Sequence, residues 1–381
     1  MRRRRPSFFS IAAKTLLVLI VAVLLAEGAA SLAHKKVRPD RPVESPVYSD
    51  DDIRRLYGTD DPSRYRAVLA ESWGLAETMY SPLVEYRMSP VKGKHYTVTE
   101  DNYRVNGYLQ DIKAPGLKVF VFGGSTTLGM GAADTETIPA YLEEQIRAEG
   151  KQAQVFNFGT TGWTSTQERI ALERFLTTGV VPDVAVFIDG LDDFAACTLP
   201  DVSAWNERLT QLTRARAHVP LAVEVANRSN VVQLVRQVAS REAAAPVPGA
   251  GRLCASDEDV TRIARRLDTN RRLIAAAADR LGFKAVFVQQ PVPTFHYDAA
   301  KRPVNVRPEA LGAYLNSAKG YARMAEMKAA GQLSEQGLLW LTELEPAEGN
   351  AYIDPVHYSP RFNKAIAEAI TRHILDNALL P

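Results

Sequence analysis

Two short stretches hold residue types that could do acyl chemistry. The first is "VFVFGGSTTLG", residues 119–129, in which Ser125 follows an apolar run and two glycines. In open α/β sheets, ligands gather beyond the carboxyl ends of the strands, and glycines permit a tight turn and close backbone approach there. Three familiar glycine motifs fail on this stretch. The phosphate loop needs a lysine that is absent, the dinucleotide spacing is absent, and the nucleophile elbow needs glycine where Thr127 stands. The second stretch is "YIDPVHYSP", residues 352–360, with Asp354 three residues before His357 and Pro355 between them. A turn at Pro355 lets the carboxylate accept from one imidazole nitrogen while the other faces a serine, which is how a serine nucleophile is activated. Taken singly, each stretch also has a plain reading: a serine at a strand end, and a helix-capping aspartate beside an incidental histidine. Of the other five histidines, His296, after "QQPVPTF", is the one also expected at a strand end.

Two further stretches would complete such a site. In "NFGTTGWTSTQE", Gly162 follows a second strand, and its backbone N–H could point at a developing oxyanion. In "VFIDGLDD", Gly190 to Asp193 follow a third strand. Together, in this order and spacing, the four blocks resemble the SGNH (GDSL-like) hydrolase family. The resemblance spans about residues 117–196 and 256–376. It implies Ser125 as nucleophile, Gly162 as oxyanion donor, His357 as base and Asp354 as its orienter. It also implies a three-layer α/β/α flavodoxin-like sandwich around a parallel sheet, with no metal and no organic cofactor. Ester hydrolysis, or acyl transfer to or from polysaccharides in exported relatives, is the activity that goes with it. The leader and "QQPVP" look like those of membrane-anchored bacterial members.

One position departs from the family pattern. Asp192 stands where the family has an asparagine that donates to the oxyanion. An ionised aspartate only accepts, and losing one oxyanion donor typically costs about 10²–10³ in rate. Three outcomes are open. Asp192 is protonated and donates after all; the Ser125 and Gly162 N–H groups suffice; or the protein is a catalytically weak binding or assembly protein of the cell envelope.

The elements that must position these residues follow from apolar patterning. Strands are expected at 118–122, 154–158, 184–188 and 285–289. Helices are expected at 139–149, 165–176, from Ser256 to about Leu281, and at 361–379. Strand and helix alternate, which argues parallel strands joined by helical crossovers. Residues 198–253 interrupt the alternation with two helical patterns and read as an insertion that covers the cleft or stabilises the fold. Cys197 and Cys254 flank it; they form either a disulfide at its two feet or a pair of buried thiols. The expected organisation is therefore a leader at 1–33, a linker and N-terminal ornament at 34–115, and the hydrolase-like domain at 116–381.

The leader begins with four arginines, Arg2 to Arg5, followed by an apolar run from Thr15 to Ala26. This reads as a signal anchor or a cleaved signal peptide. Either leaves the arginines in the cytoplasm and the remainder exported, in the periplasm of a bacterium. The formal net charge of +2 belongs to the leader, so the rest is close to neutral and gives no sign of a nucleic-acid partner. The expected partners are a small-molecule or polysaccharide ester and the membrane.

Overall fold

Valine and phenylalanine alternate along the first long strand, and that alternation sets the layers. In this computed structural model β1 is Leu117–Gly123, with Val119, Phe120, Val121 and Phe122 all fully buried. Successive strand residues point to opposite faces. Val119 and Val121 enter one core with Val155, Val186 and Ile188, while Phe120 and Phe122 enter another with Phe156 and Phe187. A strand apolar on both faces belongs inside a parallel sheet covered on both sides.

The structure describes residues 48–195, 197, 253–297, 308–346 and 348–381, with 18, 21–22 and 26–28 as separate helical positions. The chain divides into two units, Met1–Arg41 with Leu199–Val247, and Pro42–Thr198 with Pro248–Pro381. Nearly all of the first unit lies outside the described residues, including the expected leader and both helical patterns of the insertion. Among the described residues no helix is long and apolar enough to cross a membrane.

The second unit is built on β1, helix α1 (Ile138–Ala148), β2 (Ala153–Asn157), α2 (Ser165–Thr177), β3 (Val184–Asp189), α3 (Asp257–Leu281), β4 (Lys284–Gln289), β5 (Leu338–Trp340) and α4 (Pro360–Asp376). All five strands run parallel in the order β2-β1-β3-β4-β5. This is the doubly wound 2-1-3-4-5 order, whose ligand crevice opens where the winding reverses, between β1 and β3. The valine face is covered by α1 and α4, through Ile138, Leu142, Ile366 and Ile370. The phenylalanine face is covered by α2 and α3, through Leu172 and Ile274. The Phe122–Phe187 and Phe187–Phe287 rings stack across neighbouring strands at 5.0 and 5.7 Å between centroids.

Two features depart from the sequence reading. The linker expected at the start of 34–115 is in part a helix, Asp50–Tyr57. Ser49 caps it in a reciprocal box with Asp52, three aspartates occupy its first turn, and Gly58 closes it in the left-handed conformation. Its Ile53, Leu56 and Tyr57 are buried, so a polar segment folds because its few apolar residues share one face. The fifth strand, β5, and the helix Asn316–Ala329 before it were also unforeseen. Helix α3 and the other long elements lie within a few residues of their expected bounds. The structure joins Cys197 and Cys254 by a disulfide, 57 residues apart in sequence.

Candidate active site

Every expected site residue lies at the carboxyl ends of the strands or on the turn before α4. Gly123 ends β1, Gly124 follows, and Ser125 starts a one-turn helix, Ser125–Leu128, closed by Gly129 at φ +84°. The turn leaves Ser125 almost buried, at 2% exposure. The turn before α4 brings an imidazole to it: the Ser125 hydroxyl lies 2.9 Å from His357 Nε2. On the other side of the ring, His357 Nδ1 is 2.6 Å from Asp354 Oδ2. Asp354 Oδ1 accepts from the backbone N–H groups of Val356 at 2.9 Å and His357 at 2.7 Å. Because an ionised carboxylate only accepts, Nδ1 carries the ring proton; Nε2 is then the acceptor and Ser125 donates to it.

The electrostatics fit this arrangement. Burial pushes the Asp354 carboxyl up, yet the His357 charge and the hydrogen bonds from the ring and backbone outweigh it and hold the pKa below its ordinary value. Burial alone would lower the His357 pKa; the Asp354 charge and hydrogen bond, helped by Asp192, raise it above the usual imidazole value. The pair is thus set to hold a proton arriving from Ser125.

Gly124 is where the other two blocks converge. A Cβ placed on it would fall 1.9 Å from Asp192 Oδ2 and 3.6 Å from the Trp163 carbonyl oxygen. Only a glycine lets the Asp192 carboxyl lie against the backbone next to Ser125. Gly162 adopts φ +72° in an exposed turn. Neither its N–H nor that of Ser125 donates to a backbone carbonyl among the described residues. Asp192 is half-buried, and its carboxyl is pushed up to about 7 by burial first and by the charge of Asp193 second. Its neighbour Asp193 turns elsewhere, accepting from the Ser165 hydroxyl at 2.7 Å and so fastening the start of α2. A polar layer lies behind it, where burial raises both the Glu168 and Asp189 carboxyls, helped at Glu168 by the Asp189 charge and at Asp189 by the Asp193 charge.

The sequence reading overlooked several residues of the site. Gln290, from "QQPVP", donates to the Tyr358 hydroxyl at 2.8 Å and to Thr126 Oγ1 at 3.3 Å, tying the neighbours of His357 and Ser125 together. Asn157, at the end of β2, donates to the Thr127 carbonyl at 3.1 Å and accepts from Gly159 N–H at 3.0 Å. Tyr86 and Trp73 come from the supposed ornament: the Tyr86 hydroxyl stands 3.1 Å from a Cβ placed on Gly162, and the Trp73 ring meets His357. A polar residue directly after a strand was a usable signal for Gln290, and a polar residue ending an apolar strand for Asn157; nothing local marks the two aromatics. His296 is not part of the Ser125 hydrogen-bonded chain. Among the described residues no cluster of His, Cys, Asp or Glu could hold a metal.

A model of the GDSL-like lipase/acylhydrolase family matches residues 121–321. The chain belongs to that family. By class it is an ester-cleaving hydrolase, and the SGNH resemblance is sound. The match takes in Ser125, Gly162 and Asp192 but ends before Asp354 and His357, which the folded geometry adds. Comparison with curated proteins finds no match. Among solved structures the chain is similar to a lipase from a goat rumen metagenome, at 12% identity over 67% of this chain and 95% of that one, TM-score 0.39. It is similar also to the esterase EstA from a Pseudoalteromonas species, at 9% identity over 68% and 98%, TM-score 0.36. A third is Est24, a carbohydrate acetylesterase from Sinorhizobium meliloti, at 14% identity over 68% and 99%, TM-score 0.33. Identities this low leave substrate out of the likeness.

Proposed function

We propose that this hydrolase is a serine esterase of the cell envelope in which Ser125, His357 and Asp354 form the catalytic triad. The observation that carries the reading is the unbroken chain of two short hydrogen bonds from Ser125 through His357 to Asp354. Ser125 Oγ attacks the ester carbonyl as His357 Nε2 takes its proton; the carbonyl π pair moves to the oxygen. When the tetrahedral intermediate collapses, the C–O bond to the alcohol breaks and His357 returns the proton to the leaving oxygen. Water, or a second hydroxyl in an acyltransferase, then enters by the same steps in reverse. The oxyanion is held by the Ser125 and Gly162 N–H groups and by Asp192 in its neutral form. Support for an envelope location is the arginine-rich, apolar leader, which fits a membrane anchor or signal. The substrates we favour are O-acyl groups of a polysaccharide, with lipid esters as the alternative.

Asp192 gives this reading a definite pH signature. Below about pH 7 its carboxyl is neutral and donates; above, it is ionised and repels the oxyanion. Activity should therefore rise as His357 loses its proton and fall as Asp192 loses its own. In Asp192→Asn the alkaline fall should vanish, because an amide donates at every pH. At about pH 9 the variant should exceed wild type in kcat/KM by about 10-fold or more. Aryl-ester hydrolysis across pH checks this. Parallel profiles would remove Asp192 from the oxyanion site, and no hydrolysis by either protein would favour the second reading, an envelope binding protein, which the asparagine replacement motivates.

A further inference from the structure

The segment from Tyr48 to Val98 packs against the turn that carries Asp354 and His357. Ile353, fully buried, comes from that turn into a cluster otherwise built from this N-terminal segment and from Leu128, Met130 and Ala133, just past the nucleophile. Three contacts grip the turn from the N-terminal side. The Tyr48 hydroxyl donates to the Ile353 carbonyl at 2.5 Å. Asn350 Nδ2 donates to the Arg55 carbonyl at 3.0 Å. The Trp73 ring stands perpendicular to the His357 imidazole, 5.7 Å between centroids. Gly131, at φ +78°, makes room for this meeting: a Cβ there would lie 2.0 Å from Ile353 Cδ1 and 3.1 Å from the Trp73 ring. Its carbonyl is held by the Tyr57 hydroxyl at 2.8 Å.

A single hydrogen bond from Nδ1 to Asp354 fixes one corner of the imidazole. It leaves the ring free to swing about that corner, and a small swing carries Nε2 out of reach of Ser125. We propose that Trp73 and Tyr48 are positioning residues for His357, Trp73 by blocking that swing and Tyr48 by fixing the residue before Asp354. The N-terminal segment is then part of the catalytic apparatus. The proposal rests on the reading of His357 as the base.

The test is the kcat and KM of full-length Trp73→Ala, Trp73→Phe, Tyr48→Phe and His357→Ala on one aryl ester. Misplacement of a catalytic group by about 1 Å can cost about 10²-fold. Trp73→Ala should therefore lose about 10- to 100-fold in kcat with KM within about 3-fold, and Trp73→Phe, which restores an aromatic ring, should recover most of it. Tyr48→Phe, which removes one oxygen atom, should lose about 3- to 10-fold in kcat with a melting temperature lower by only a few degrees. His357→Ala separates the two ideas: full activity there ends the assignment of the base itself. An inactive His357→Ala beside Trp73→Ala and Tyr48→Phe at wild-type kcat ends only the positioning proposal, as does a Trp73→Ala loss that Trp73→Phe does not recover. If Trp73→Ala does not fold, Trp73→Phe and Tyr48→Phe decide: a wild-type kcat in Tyr48→Phe overturns the proposal.

Discussion

Ser125→Ala should lower the turnover of a short-chain aryl ester by about 10⁴-fold or more, with the fold intact. Loss of the nucleophile in a serine triad typically leaves only the catalysis due to oxyanion and substrate binding. Here the substitution removes one hydroxyl that donates to His357. The remaining chain, His357 to Asp354 and Asp354 to its two backbone N–H groups, does not depend on it. A hydrogen bond of this kind contributes about 1 kcal/mol, so the melting temperature should move by only a few degrees. Rates measured with an excess of enzyme give the residual activity. A Ser125→Ala protein within about 10-fold of wild type would mean that another group attacks the ester.

The second large effect concerns stability. Arg104 has no exposed side-chain surface and uses all five of its N–H donors. Nε donates to Asp134 at 2.8 Å, Nη1 to the carbonyls of Leu128 and Gly129, both at 2.8 Å, and Nη2 to those of Ala132 at 2.7 Å and His95 at 3.1 Å. The guanidinium also lies 4.5 Å from the centre of the Tyr96 ring. Two of those carbonyls, of Gly129 and Ala132, belong to the loop that follows the Ser125–Leu128 helix, and that of Leu128 ends the helix itself. Arg104→Ala takes the guanidinium from the buried Asp134 carboxylate, which keeps the Thr97 N–H at 3.1 Å, and takes donors from these carbonyls, of which Gly129 keeps the Ala132 N–H; removing one partner of a buried ion pair typically costs about 3–5 kcal/mol. A drop in melting temperature of roughly 10 °C is expected. Arg104→Lys should fare little better, because a point ammonium with three donors cannot reach five acceptors spread over a planar fork. A melting temperature within about 2 °C of wild type for both variants would show that the loop holds itself.

The parts of the fold that could be read in advance are those with a local signature. Val119-Phe120-Val121-Phe122 announces a strand buried on both faces, and Asp354-Pro-Val-His357 announces a carboxylate against an imidazole, because three residues around a turn decide both. The meeting of Ser125, Trp163 and Asp192 at Gly124 was legible only through the resemblance of whole blocks; no spacing rule brings three strand ends to one point. Arg104 and Trp73 were invisible. Arg104 finds Asp134 thirty residues onward, and Trp73 finds His357 far across the chain. Each looks locally like any arginine near a turn or any tryptophan on a helix. The helix Asp50–Tyr57 was passed over because its polar composition outweighed its signals, although Ser49 and Gly58 mark both ends. β5 escaped because Leu338–Trp340 is three residues long, too short for a period to show.

The claim that Ser125 is the attacking atom is tested most directly by covalent capture. The full-length protein would be treated with a fluorophosphonate, which phosphonylates an activated serine and releases fluoride, and then digested and weighed by mass spectrometry. The account predicts one adduct, on the peptide that contains Ser125, absent from Ser125→Ala and formed far more slowly in His357→Ala. An adduct on another residue, or equal labelling of wild type and Ser125→Ala, would contradict it.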